Sequence, residues 1–108
     1  MQNFEVSVDY TDEPLGVITD TDTDNEYTAV YKIFVEKGEK NYVACSPDIL
    51  GCIAADSTLD KTKERYRYAL ICHVEGTVED CLPLPEPKTH EITADIYSAF
   101  LLRVRVSF

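Results

Sequence analysis

Residues 45–57 read CSPDILGCIAADS, with Cys45 and Cys52 flanking a Pro-Asp pair and Gly51. Two readings of this stretch lead to different folds. If the cysteines hold a metal, the chain is a small metal-stapled module. If Pro-Asp-x-x-Gly is a turn, the stretch joins two strands of a sheet. Six residues separate Cys45 from Cys52, and eight separate Cys72 from Cys81. Both gaps exceed the about two to four residues usual in structural zinc sites. His73 adjoins Cys72, but adjacent residues on a helix project in different directions and do not readily share a metal. Free cysteine commonly behaves as a small hydrophobe, so Cys45, Cys52 and Cys72 read as core residues. A reactive thiol needs a nearby positive group, and no motif supplies one.

Working outward, both flanks alternate as strands do. NYVACS, 41–46, and CIAA, 52–55, sit either side of the turn PDILG. Before them, YTAVYKIFVE, 27–36, places Tyr27, Ala29, Tyr31, Ile33 and Val35 on one face. KGEK, 37–40, reads as a hairpin turn with Gly38 free to take positive φ. FEVSVDY, 4–10, is a further half-buried strand. Between them TDEPLGVITDTDTDNE, 11–26, reads as an acidic loop with a short strand at Val17-Ile18.

The stretch from Ser57 onward changes period. Ser57 or Thr58 is placed to cap a helix, with Asp60 at the capping-box spacing from Ser57. Leu59, Thr62, Tyr66, Ala69, Leu70, His73 and Val74 recur in steps of three and four and define one inward face. Lys61, Lys63, Glu64, Arg65 and Arg67 take the other side. The helix is expected to run to about Glu75, with Gly76 as its stop. CLPLPEPK, 81–88, has proline at alternate positions and reads as an extended loop. The tail, 89–108, is β-prone and ends with Leu102, Val104 and Val106 alternating with Arg103, Arg105 and Ser107.

The expected architecture is α+β and two-layered: a mainly antiparallel sheet with one helix packed across it. One domain accommodates the 108 residues. It divides into an N-terminal strand and acidic loop, 1–26, a strand-strand-strand-helix unit, 27–75, a proline-rich loop, 76–88, and a C-terminal strand region, 89–108.

Apolar residues make up 44% of the chain, enough for a folded core, and twenty acids against ten bases give a net charge of -10. That balance disfavours nucleic acid and suits a basic partner. No apolar run is long enough to span a membrane, and MQNFEVSVDY does not read as a signal peptide. A cytoplasmic protein with reduced thiols is expected.

Catalytic and metal motifs are sparse. Asp20, Asp22 and Asp24 imitate the first ligands of an EF-hand loop, but Asn25 replaces the required glycine and Tyr31 the bidentate glutamate. No serine lies in a Gly-x-Ser-x-Gly elbow. His73 reads as a helix residue on the inward or flanking side, and His90 as an exposed strand start; neither has a nucleophile beside it. There is no glycine-rich phosphate loop. No cofactor, metal or catalytic residue is assigned. Arg103 and Arg105 share a face of the last strand, which reads as an edge strand guarded by charge rather than as a groove-reading ribbon.

The order of these pieces resembles the HicB family of antitoxins over roughly 27–87. The matching parts are the hairpin YTAVYKIFVEKGEKNYVACS, the turn SPDILGC, the helix start STLDKTKERYRYAL and the exit LPLPEP. Within them Gly51, Cys52, Thr58, Leu59, Tyr66, Ala69 and Leu70 are the motif positions expected to shape the fold. The resemblance implies a partial ribonuclease H-like fold, in which Pro-Asp-x-x-Gly is a turn between the second and third strands. It implies an antitoxin that binds and neutralises HicA, a small basic toxin that cleaves messenger RNA, and a homodimer or larger homo-oligomer. Many relatives continue into an operator-binding segment. Here no helix is expected after the last strand, so no separate DNA-binding domain is expected, and residues 1–26 match no part of the family.

Exposed rigid loops commonly carry recognition. The expected partner surface is therefore Ser46, Pro47, Asp48 and Gly51 in the turn, with Pro83, Pro85, Glu86 and Pro87 in the proline loop. Two alternatives stand beside the antitoxin. One is a stand-alone homo-oligomer assembled through the β-prone tail. The other is a residual nuclease using Asp48, Asp56 and Glu75 around magnesium.

Overall fold

Strand-forming residues of the tail occupy the middle of the sheet. The computed structural model describes residues 4–12, 16–17, 26–88 and 96–108. The elements are β1 (Glu5–Thr11), β2 (Gly16–Val17), β3 (Glu26–Lys37), β4 (Tyr42–Ser46), β5 (Ile49–Asp56), α1 (Leu59–Glu79) and β6 (Ser98–Ser107). The sheet runs β1-β6-β3-β4-β5, with the short β2 also paired to β3. Every pairing is antiparallel. The α+β, two-layer expectation is met. The acidic stretch with Asp20, Asp22 and Asp24, and the stretch containing His90, lie outside the described residues.

The period-two pattern decides the faces. Ala29, Tyr31, Ile33 and Val35 of β3, Val8 of β1 and Leu102, Val104 and Val106 of β6 all face inward and are buried. Against them α1 sets Thr62, Tyr66, Leu70 and Val74. Leu59 and Ala69 are half-buried beside this cluster. Cys52 and Ala54 of β5 complete it.

Several expectations are corrected. The last strand is no edge: β6 lies between β1 and β3, with Arg103 opposite Asp9 on one side and Val30 on the other. Over Leu101–Ser107 both edges of β6 are paired within the chain.

Helix α1 does not stop at Gly76 but continues to Glu79. A glycine inside a helix costs only about 1 kcal/mol. The extra turn keeps Val78, one turn beyond Val74, against the core. The helix ends instead at Cys81, which takes positive φ of 57°. Its N–H donates to the Val78 carbonyl, and the Leu82 N–H reaches back to Thr77. That is a Schellman closure without the usual glycine.

The turn in 45–57 is also tighter than expected. Pro47 and Asp48 alone reverse the chain, and β5 begins already at Ile49. The register then slips, from Cys45 opposite Ile53 to Ser46 opposite Ile49. Gly51 sits in that irregularity with φ of 87°, a region costly for other residues. Gly38 does not take positive φ; among the described glycines only Gly51 does. Cys52 is buried as expected, whereas Cys45 is half-buried and Cys72 and Cys81 are exposed.

Candidate functional site

Two loops far apart in sequence meet at one end of the molecule. Asp48, in the β4–β5 turn, accepts a hydrogen bond from the Lys88 backbone N–H at 2.8 Å. Its own N–H points to the Ser46 hydroxyl at 3.4 Å. Proline at 83, 85 and 87 keeps 81–88 extended, as a strap. The strap is tied a second time where the Tyr31 hydroxyl donates to the Pro85 carbonyl. Burial, with the neighbouring Tyr27 hydroxyl, pushes the Tyr31 ionisation far above its usual range. It therefore stays a donor at any physiological pH.

These ties bring the sequence-derived surface together but do not expose all of it. Pro47, Gly51, Pro83 and Glu86 are exposed, Asp48 and Pro85 are half-buried, and Ser46 and Pro87 are buried. Ser46 and Pro87 therefore shape the loops from beneath.

Beside the strap lies an apolar groove of about 650 Å³. Its walls are Tyr27, Val78, Cys81, Leu82, Pro83, Leu84 and Phe108. Leu82 is 58% and Phe108 59% exposed.

The chain between two of the groove's wall residues, Val78 and Cys81, is acidic. The last turn of α1 carries no basic residue, and Glu79 and Asp80 close the helix there. A helix C-terminus bears partial negative charge from its carbonyls, so acids placed there repel it. Glu86 on the strap adds another exposed carboxylate; its nearest cation, Lys88 Nζ, is 3.8 Å away. Sequence reasoning overlooked Glu79 and Asp80 because Gly76 suggested an earlier end. Pro83, two residues beyond Cys81, was the signal for the true one.

The carboxylates of the nuclease alternative do not converge. Asp48 precedes β5 and Asp56 ends it; that span of strand places them on the order of 25 Å apart. Asp56 is instead engaged by the Ser57 N–H and by Arg65 at 2.9 Å, which hold its carboxyl below the usual range. Among the described residues no three of His, Cys, Asp or Glu gather as metal ligands. Burial raises the thiols of Cys45 and Cys52, the reverse of what a nucleophile needs.

The family model of the HicB-like antitoxin of bacterial toxin-antitoxin systems matches residues 31–99, and the chain belongs to that family. A protein of Haemophilus phage HP1 (strain HP1c1), described as an uncharacterized 14.9 kDa protein in the rep-hol intergenic region, is 34% identical over 77 residues. The match takes in 69% of this chain and 58% of that relative. The chain thus spans well under two thirds of the relative's length. A solved structure described as the HicA3 and HicB3 toxin-antitoxin complex is 30% identical, with a TM-score of 0.49, covering 56% of this chain and 71% of that one.

Proposed function

We propose that this protein is an antitoxin that binds a small, basic, HicA-type toxin and silences its cleavage of messenger RNA. The contact surface is the end of α1, the strap 81–88 and the turn 46–51. One observation carries the reading beyond family membership. Glu79 and Asp80 lie at the helix end where negative charge costs stability, and their chain neighbours Val78 and Cys81 line an apolar groove. Residues that break a local rule without a folding benefit are expected at functional sites. A basic partner converts that cost into attraction, and its apolar side chains fill the groove between Leu82 and Phe108. Complementary charge then speeds the encounter and selects against acidic competitors. The nuclease reading gains no support from the positions of Asp48, Asp56 and Glu75.

The test is to purify the tagged protein from its own cells at low salt and identify what elutes at high salt. The expected partner is small, basic and stoichiometric, cleaves RNA when freed, and stops when the antitoxin is returned. A double variant, Glu79→Lys with Asp80→Lys, should capture the partner at least about tenfold more weakly, mainly through slower association. Retention equal to the parent chain would remove the helix end from the interface. A freed partner without RNA-cleaving activity would remove the toxin.

A further inference from the structure

Near the start of α1, a lysine stands over two aromatic rings with no acid to pair it. The β1 pairing ends at Thr11 opposite Leu101. β6 runs on through Ser98–Phe100, paired there only with β3 among the described strands. At this step lies a cavity of about 450 Å³, whose walls include Tyr10, Asp12, Lys63, Ala99 and Phe100. That volume falls within the about 300–1,000 Å³ usual for small-ligand pockets. The rings of Tyr10 and Phe100 lie 6.0 Å apart, tilted by 50°. The Lys63 ammonium sits 5.6 Å from the first ring centre and 5.1 Å from the second. A hydrogen-bond network braces them. The Tyr10 hydroxyl donates to Glu64 at 3.0 Å. Arg67 donates to both Glu64 oxygens, at 3.2 and 2.8 Å, and to the Val8 carbonyl at 2.7 Å. Partial burial, with the bond to Glu64, pushes the Tyr10 ionisation up to about 12, so the phenol stays neutral at physiological pH. Glu64 is thus matched by Arg67, as Asp56 is by Arg65. Lys63 forms no ion pair among the described residues.

From this arrangement we infer a binding site for a small aromatic monocarboxylate, its carboxylate on Lys63 and its ring against Tyr10 and Phe100. Each part of the ligand follows from the chemistry of the walls. The faces of both rings already serve the protein's own cation. A cationic ligand has to displace Lys63, whereas an anion adds to it. A third ring extends a tilted aromatic pair at ordinary spacing. Acids limit the charge that fits. Asp12 stands in the cavity wall, and Asp60 lines a smaller hollow of about 270 Å³ shared with Tyr10, Lys63 and Glu64. Their field favours one negative charge on the ligand over two. For the same reason, in a chain of net charge -10, a nucleic acid backbone does not fit the site. Lys63 and Glu79 are sixteen helical residues apart, roughly 24 Å along the axis, so the site is separate from the proposed toxin surface.

The experiment titrates the full chain with phenylacetate and follows backbone amide shifts by NMR. Shifts should saturate with a Kd on the order of 1 mM or below, and should gather at residues 10–12, 63 and 99–101. Benzylamine, a cation, and phenyl phosphate, a dianion above neutral pH, should both bind more weakly. Lys63→Gln should weaken phenylacetate binding by about fivefold, and Phe100→Leu by about threefold. Lys61→Gln, on the same helix but outside the cavity, should leave it unchanged. Circular dichroism reports whether each variant folds, and the order of the three probes tests the site without any variant. Failure to saturate, benzylamine binding as tightly as phenylacetate, or indifference to Lys63→Gln overturns the proposal. So do shifts that gather instead at Tyr27 and Phe108, because the apolar groove is then the receptor. The Glu79 and Asp80 variants should bind phenylacetate as the parent chain does, so this site and the antitoxin reading fail separately.

Discussion

The two ends of α1 are held by opposite means. At the start, every local rule agrees. Thr58 caps the helix, accepting from the Lys61 N–H at 3.1 Å, and Asp60 lies in the first turn, where the helix dipole favours acid. The fully buried Thr62 hydroxyl donates to the Thr58 carbonyl at 2.7 Å, with the Tyr42 and Asp56 carbonyls close by. At the finish, the rules are broken together. Cys81 holds a left-handed conformation usually left to glycine, no cation caps the carbonyls, and Glu79 and Asp80 oppose the dipole. The start is arranged for stability. The finish gives some stability up and gains a negatively charged, apolar surface.

That contrast is open to measurement. The largest effect is expected from Thr62→Val, which keeps the shape but removes the hydroxyl joining α1 to the ends of β4 and β5. It should lower unfolding free energy by about 1–2 kcal/mol in a urea titration. Thr58→Ala should cost about 1 kcal/mol in the same assay, through the lost cap. Glu79→Lys should act in the opposite sense, raising stability by about 0.3–1 kcal/mol as the dipole acquires a cation. A destabilised Glu79→Lys chain would break the comparison, because the acid would then be serving the fold. The smallest effect concerns Asp56 and pH. Its folded-state carboxyl ionises below the unfolded value, so its contribution is present above the usual carboxylate range. That contribution disappears as pH falls through the range, between about pH 5 and pH 3. Asp56→Asn should flatten this limb of a stability-versus-pH curve.

The contrast also explains what could be read from sequence. The start of α1 was legible because capping, charge and periodicity all pointed to residues 57–62. The hairpin of β3 and β4 was legible from the alternation of its strands and the KGEK turn between them, although Gly38 does not take the positive φ expected there. The finish of α1 was misread because Gly76 is a strong local stop, and only the packing of Val78 overrides it. The place of β6 was hidden more deeply. Its alternation with Arg103 and Arg105 suits an edge strand or a central strand with one wet face, and no local signal tells which. The turn and the strap are joined by a bond between Asp48 and Lys88, forty residues apart; sequence nominated both loops but not their meeting.

The central position of β6 has a consequence for how the protein comes into being. β3 can pair with β4 almost as soon as both are made. β1, made first, pairs with no described strand other than β6, and Glu5 waits for Ser107. The sheet therefore closes through contacts of very long sequence separation, which fold slowly because the chain ends must first find each other. Until residues 98–107 arrive, the nascent chain shows one uncovered edge of β3 and the inward face of β1. During that interval it is open to aggregation and to proteases. A chain built this way reaches its native sheet only once the last strand has been inserted, so the supply of folded protein depends on that late step as well as on synthesis.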